Sequence, residues 1–416
     1  MVFDAQRYRA LLPTLIAELV TAELRALRPA KFESLTVDTV QKSEHWAKDF
    51  TLDSLERVTL SSVAAEYFNV YDSGREDTLL GIASCERWAD IMALSRSESV
   101  KACDITFRSS GTTGKPKLFR HRHDWLVQEA THWAEEMQRI GVTRIVACVP
   151  PQHIYGYLWT ILLPVIANLP VVFLRGIAVV QPDVGAHDAV IATPRLLEQW
   201  AERGTALIGA QAVCSTGRLQ TYSSTEICAS TELRDLWEIY GSSETAGLAM
   251  RARDATNYTW LPYVSLVSLA SPASTSETND PNARAEVARM LPDGTRATLE
   301  LPDTIELTSS LREFRVGERY DDIVKVFGKR IDLEALRNGL RSVPNVRDAN
   351  VRAFKDARTA ALKVFIVPID ANESEEVLFA RCRDWIATNT DAAPAISSWR
   401  SGAWVPRNAM GKLADW

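Results

Sequence analysis

Apolar residues recur along this chain in two rhythms, one helical and one extended. Leu11, Leu12, Leu15, Ile16, Leu19 and Val20 follow spacings of three and four, which predicts an amphipathic helix near the N-terminus. A second helix is predicted from Asp53, because Asp53-Ser54-Leu55-Glu56 has the form of a capping box. Residues 8 to about 95 therefore read as helical, and the polar, aperiodic Ser95-Arg96-Ser97-Glu98-Ser99 reads as a linker. Beyond it strands and helices alternate. Asp124 is expected to cap a helix whose Leu126, Ala130, Trp133, Met137 and Ile140 form one stripe, and Ile145 to Val149 reads as a buried strand. Short apolar runs at 171–174, 189–192, 212–214 and 236–240 predict further strands of a parallel sheet, with its loops gathered at one edge. His153, Ser215 and Tyr240 fall at such strand ends. Residues 258–315 read as β-rich around a loop at 271–276. A strand from Ile323, a helix over 333–340 and strands near 346–354 and 362–367 then predict a small α+β unit.

Length and composition narrow this picture without specifying the chemistry. The 416 residues allow two or three domains with ample core. Net charge of -6 gives no electrostatic reason to expect nucleic acid or an anionic membrane. Arg120-His121-Arg122-His123 reads as a solvated face or as local phosphate support. The six cysteines (85, 103, 148, 214, 228 and 382) are scattered singly, which fits a reducing cytoplasm rather than a disulfide framework or a zinc site. Charged residues interrupt the N-terminal apolar stretch, so no signal peptide is expected. The most apolar run, Ile154 to Leu174, holds two prolines and a glycine; it reads as helix then strand and requires no membrane span.

The chemistry centres on Phe107-Arg108-Ser109-Ser110-Gly111-Thr112-Thr113-Gly114-Lys115-Pro116-Lys117. Glycines that let the backbone approach a ligand, short hydroxyl donors and lysines together describe a phosphate-binding loop. Ser109 and Pro116 occupy positions where a Walker loop needs glycine and a hydroxyl, so it is not one. Glu244 follows an apolar run and a Tyr-Gly turn, where a carboxylate can share Mg²⁺ with phosphate oxygens.

This loop resembles the signature of the adenylate-forming superfamily, the acyl- and aryl-CoA synthetases, luciferases and peptide-synthetase adenylation domains. Four further segments resemble that family's motifs in family order: Gln152-His153-Ile154-Tyr155-Gly156, Glu238-Ile239-Tyr240-Gly241-Ser242-Ser243-Glu244-Thr245, Arg319-Tyr320-Asp321-Asp322 and Pro406-Arg407-Asn408-Ala409-Met410-Gly411-Lys412. The resemblance implies an α/β adenylate-forming fold, with a large domain over 101–319 and a small C-terminal lid over 320–416. It implies ATP held by Ser110, Gly111, Thr112, Thr113, Gly114, Lys117, Tyr240, Gly241, Ser243 and Arg319, with Mg²⁺ on Glu244. Tyr240 would stack on adenine, Ser243 would contact the α-phosphate and Asp321 would be the hinge. Lys412 would reach the carboxylate and α-phosphate, a role suited to a point charge on a flexible stem. His153, Tyr155, Gly156, Gly217, Ala246 and Gly247 would surround the acid.

The helical segment over 1–95 resembles an acyl carrier protein, in which the serine of Asp53-Ser54-Leu55 would carry phosphopantetheine; Thr51 replaces the glycine usual in that motif. Its capping box needs no prosthetic group, so a structural or docking module is the alternative. Two further departures stand out. Arg218 occupies a position where relatives have a small residue, and Leu307-Thr308-Ser309-Ser310-Leu311 lacks the aspartate that binds ribose. The arrangement is most similar to the AMP-ligases of aryl-polyene and xanthomonadin-type pigment clusters. It implies activation of an aromatic acid such as a hydroxybenzoate, with transfer to an acyl carrier protein or to coenzyme A. The competing expectation is a non-catalytic carrier-docking scaffold that retains a nucleotide-binding shell.

Overall fold

A computed structural model describes residues 3–81, 84–99, 103–109, 117–175, 182–219, 222–270, 284–319, 323–326, 329–356, 359–390 and 392–406. It divides into two compact units, one comprising 1–265 and 288–297, the other 266–287 and 298–416.

The first unit opens with seven helices: α1 (Ala5–Leu27), α2 (Pro29–Phe32), α3 (Val37–Lys42), α4 (Trp46–Asp49), α5 (Ser54–Tyr67), α6 (Glu76–Gly81) and α7 (Cys85–Glu98). Asp4 caps α1 by accepting the N–H groups of Gln6 and Arg7 at 3.0 Å each, which satisfies donors the helix cannot. The predicted stripe of α1 is buried from Leu12 to Val20, with Leu11 half-buried. At α5 the capping box forms as the sequence predicts. Asp53 accepts Glu56 N–H at 2.8 Å and Glu56 accepts Asp53 N–H at 2.8 Å. The predicted linker is instead the last turn of α7, and Ser95 is buried because α7 lies along α1.

These helices are bonded to the segments that follow. The hydroxyls of Tyr8 and Tyr157 lie 2.9 Å apart, Asn69 donates to the Asp104 carbonyl at 3.0 Å, and Arg108 pairs with Glu66 at 2.6 Å. A hairpin of β1 (Ile105–Ser109) and β2 (Lys117–His121) leads into α8 (His123–Arg139). Leu126, Ala130, Trp133 and Met137 of α8 are buried as its spacing predicts. Asp124 is not the cap. The cap position is Arg122, two residues earlier, and Asp124 pairs with Arg122 in the first turn, where a carboxylate suits the helix dipole.

Seven strands form the sheet of this unit: β3 (Arg144–Ala147), β4 (Val171–Phe173), β5 (Asp188–Ala192), β6 (Gln211–Cys214), β7 (Asp235–Ser242), β8 (Ala246–Arg251) and β9 (Tyr258–Trp260). Their order is β9-β8-β7-β6-β5-β3-β4, parallel from β4 to β7 and antiparallel across β7-β8-β9. Between β3 and β4 the chain runs through α9 (Ile154–Tyr157), a π-helical turn (Leu158–Leu162) and α10 (Leu163–Ala167). The wholly buried β5 and β6 carry near-continuous apolar runs, as parallel strands covered on both faces require. Helix α11 (Pro194–Arg203) crosses from β5 to β6 and α12 (Ser224–Thr231) from β6 to β7, Leu197, Trp200 and Ile227 filling the core.

Strands β10 (Val264–Ala270), β11 (Arg284–Met290) and β12 (Arg296–Glu300) form a three-stranded sheet of which residues 264–265, 288–290 and 296–297 belong to the first unit and the rest to the second; the second unit continues with the antiparallel pairs β13 (Asp303–Leu307) with β14 (Glu313–Arg319) and β15 (Ile323–Val326) with β16 (Lys329–Asp332). Its core lies between α13 (Leu333–Arg341), α14 (Glu375–Asn389) and the sheet of β17 (Val346–Asp356), β18 (Thr359–Pro368) and β19 (Ile396–Ser401), where Leu336, Val351, Val364, Ile366 and Cys382 meet. Gly339 of α13 is a contact point. A Cβ there would lie 1.8 Å from the Trp385 ring. Replacing glycine by alanine within a helix normally gains about 1 kcal/mol, but overpacking of this kind costs about 1–3 kcal/mol. Gly339→Ala is therefore expected to lower the melting temperature, and the same change in a Trp385→Leu background to raise it. No helix among the described residues is long and apolar enough to cross a membrane.

Candidate active site

Because β3, β5, β6 and β7 run parallel, the segments that follow them emerge at one edge of the sheet, the normal position for ligands in such folds. His153 follows β3 as the half-exposed cap residue of α9. Ser215 and Gly217 follow β6, and the turn Ser243-Glu244-Thr245 follows β7. This edge brings together His153, Gly217, Tyr240, Gly241, Ser243, Glu244, Ala246 and Gly247.

The bonds that hold the edge are local. The Tyr155 hydroxyl donates to the carbonyl of Val213 at 2.8 Å, with the Ala192 carbonyl at 3.2 Å, so α9 is tied to the ends of β5 and β6. Tyr155 is buried, and burial pushes its phenol well above the usual range. Its visible role is that of a strut. Gly156 is required by backbone crowding, since a Cβ there would meet the Pro150 carbonyl at 2.1 Å. Ser215 donates to the Ile239 carbonyl at 3.0 Å, and Thr216 next to it adopts φ +76°, a strained value for a β-branched residue. A Cβ on Gly217 would meet nothing within 4 Å, so that face is open.

The turn between β7 and β8 is pinned from within. Ser242 N–H donates to Thr245 Oγ1 at 3.0 Å, and Glu244 N–H donates to Ser242 Oγ at 3.2 Å. Glu244 itself is exposed at the tip. Gly241 approaches the Ala246 carbonyl so closely that a Cβ would lie 2.1 Å away. The Tyr240 ring is buried 5.8 Å from that of Tyr258, which lies under the Arg251 guanidinium at 4.8 Å. Glu238, directly across the ladder, holds Arg251 at 2.8 and 2.9 Å.

One bond joins this turn to the β1–β2 hairpin that flanks the expected phosphate loop. His121, the last residue of β2, donates from Nε2 to the Ser243 carbonyl at 2.7 Å. Burial lowers its pKa to about 4, so the ring is neutral with the proton on Nε2. Lys117 begins β2, exposed and opposite Ser109. The sequence reading grouped His121 with its neighbours as a solvated or phosphate-supporting cluster. The side chains in fact divide: Arg120 pairs with Asp72 and Asp104, Arg122 pairs with Asp293, and His121 and His123 turn inward. The signal was the two-residue period of a strand running into a helix.

Ser110, Gly111, Thr112, Thr113, Gly114, Asp321 and Lys412 lie outside the described residues, as does the loop expected at 271–276. In the second unit, Arg319 is the last residue of β14. Thr308 donates to the carbonyls of Ser310 and Glu313 at 3.1 and 3.3 Å, so its hydroxyl serves the turn between β13 and β14. Ser54 is the exposed first residue of α5. Among the described residues no three His, Cys, Asp or Glu side chains cluster around a metal position. A single exposed carboxylate such as Glu244 still fits Mg²⁺, which is commonly held by one or two carboxylates together with substrate phosphates.

The fold is α/β, with the candidate site at the C-terminal edge of its parallel strands. Residues 64–270 match the AMP-binding enzyme family. The chain is 28% identical to a 4-coumarate--CoA ligase of Halorhodospira halophila, covering 97% of this chain and 96% of that one. Its fold is similar to that of ATP-bound MatB from Rhodopseudomonas palustris, with TM-score 0.60 and 13% identity over 96% of this chain and 91% of that one. It is likewise similar to the anthranilate CoA ligase AuaEII in complex with anthranoyl-AMP, with TM-score 0.57 and 14% identity over 96% and 89%. These similarities support a place in the AMP-binding enzyme family, the adenylate-forming superfamily. The helical segment before β1 falls within the span shared with the 4-coumarate--CoA ligase.

Proposed function

We propose that this protein activates a carboxylic acid with ATP and passes the acyl group to a thiol. A carboxylate oxygen attacks the α-phosphorus and pyrophosphate leaves; a thiolate then attacks the acyl carbonyl and AMP leaves. Two anions must first be brought together, so the site has to neutralise charge and align the attack. Lys117 and the expected loop donors Ser110, Thr112 and Thr113 suit the leaving pyrophosphate, and Glu244 would hold Mg²⁺, which supplies charge neutralisation there. Ser243 would face the α-phosphate, Tyr240 the adenine and Arg319 the ribose. His153, Gly156, Gly217, Ala246 and Gly247 would bound the acid, while Lys412, arriving about the hinge at Asp321, would draw carboxylate and phosphate together.

The observation that carries the reading is the 2.7 Å bond from His121 to the Ser243 carbonyl, which ties the phosphate-loop hairpin to the turn bearing Glu244. Relatives named 4-coumarate--CoA ligase favour coenzyme A as acceptor and an aromatic acid, with hydroxycinnamates joining the hydroxybenzoates expected from sequence. An acyl carrier protein is the second acceptor to test, and exposed Ser54 at the start of α5 the position to examine for phosphopantetheine.

Acid-dependent exchange of pyrophosphate into ATP tests the first half-reaction, using coumarate, hydroxybenzoates and medium-chain fatty acids. Exchange with an aromatic acid is expected. No exchange with any acid would favour the scaffold reading. Mass spectrometry with coenzyme A and with a phosphopantetheinylated carrier then identifies the acceptor, and loading of the carrier alone would overturn coenzyme A.

A further inference from the structure

The first unit contains a buried ion pair that the activation chemistry does not use. Glu129 of α8 and Arg289 of β11 have side chains 1% and 0% exposed, with Nη1 3.3 Å from Oε2. The guanidinium also donates to the Trp125 carbonyl at 2.8 Å and to Gln128 Oε1 at 3.1 Å. It sits 4.7 Å from the ring centres of both Trp125 and Tyr263. Arg289 is thereby fixed on every side, and it fixes the carboxylate.

The carboxylate is aimed at one backbone group. Its two oxygens accept the N–H of Gly247 at 3.1 and 3.0 Å. Gly247 lies opposite Gly241 where the β7–β8 register slips, at the root of the turn carrying Ser243 and Glu244. The fit leaves no space, because a Cβ on Gly247 would lie 2.2 Å from Oε1. The preceding Ala246 adopts φ +58°, so this root is held in a left-handed conformation that alanine disfavours. Desolvating both charges is costly, and an apolar pair of similar volume commonly serves a core as well. Burial raises the Glu129 carboxyl and lowers the Arg289 guanidinium accordingly. An apolar pair would leave Gly247 N–H without its acceptor.

We propose that Glu129, held by Arg289, is a positioning residue for the β7–β8 turn. It sets where the Gly247 α-carbon stands as a wall for the acid and, through Ala246 and Thr245, how Glu244 is presented to Mg²⁺ and ATP. The inference rests on the carboxylate-activating reading and adds to it two residues that no motif contains.

The test compares wild type with Glu129→Leu, Glu129→Leu/Arg289→Met and Gly247→Ala. Displacing a binding wall by a fraction of an ångström to about 1 Å costs about tenfold to a hundredfold. The expected result is a rise of that size in KM for the acid in all three, with kcat for exchange falling in the two Glu129 variants. The double variant removes the stranded charge, so its melting temperature should recover while its KM does not. A double variant with wild-type KM and kcat would overturn the proposal, as would losses that track melting temperature and vanish on cooling. If wild type exchanges with no acid, the functional reading fails separately. Calorimetric affinity for Mg²⁺-ATP then decides: weakening of about tenfold in the Glu129 variants supports positioning, and unchanged affinity overturns it.

Discussion

Lys412→Ala is expected to cut acid-dependent pyrophosphate exchange by about 100- to 1,000-fold, the usual cost of removing one group that stabilises developing charge. At the moment of attack the carboxylate and the α-phosphate are both anionic, and the negative charge passes toward the leaving pyrophosphate. A single ammonium between the two reactants offsets that repulsion most when they are closest, so its contribution falls on kcat more than on ATP affinity. Lys412→Arg is expected to recover little, because a planar fork on a stiffer head cannot replace a compact charge that enters and leaves with each half-reaction. Supplying chemically prepared acyl-AMP separates the steps. The variant should convert it with the thiol at near wild-type rate, because the proposed role of Lys412 is confined to forming the adenylate. Equal loss in both half-reactions would show that Lys412 supports the fold and not the first step.

The readability of this chain varied with how local each cause is. Helix α1, the capping box at Asp53 and the apolar strands β5 and β6 follow from spacing and from neighbours within four residues, and all three form where the pattern predicts. The ends of elements were less legible. Ser95 looked like linker by composition, yet tertiary burial against α1 keeps it helical, and the cap of α8 lies at Arg122, two residues before Asp124, whose carboxylate pairs with Arg122 from within the first turn. Least legible were contacts over long separations. His121 and Ser243 are 122 residues apart, and Glu129 and Arg289 are 160 apart, so no spacing rule could pair them. Tyr155 shows the opposite case. It was singled out through a motif, and its hydroxyl is engaged by two strand-end carbonyls.

The second large effect concerns acid. His121 and His123 have pKa values lowered by burial from an ordinary 6.5 to about 4 and about 3, and for His123 the adjacent Arg96 guanidinium, 3.2 to 3.3 Å from its ring nitrogens, adds repulsion. Above pH 6.5 both rings are neutral whether the chain is folded or unfolded, so this contribution to stability is complete. As pH falls below 6.5 the unfolded chain takes up protons that the folded rings refuse. Stability is then lost progressively until the folded values are reached. At about 1.4 kcal/mol for each pH unit between the two values, the loss from His121 alone is about 3 kcal/mol near pH 4. The buried carboxyls of Glu18 and Glu23 are raised by desolvation and pull the other way, so the informative quantity is the difference between variants. His121→Gln retains a donor for the Ser243 carbonyl but cannot be charged. Its denaturant midpoint is expected to fall short of wild type at pH 7.5, where the shape of the ring matters, and to lose less between pH 6.5 and 4.5. Parallel pH profiles for the two proteins would show that His121 titrates normally, and with it that the link between the phosphate-loop hairpin and the Glu244 turn is open to water.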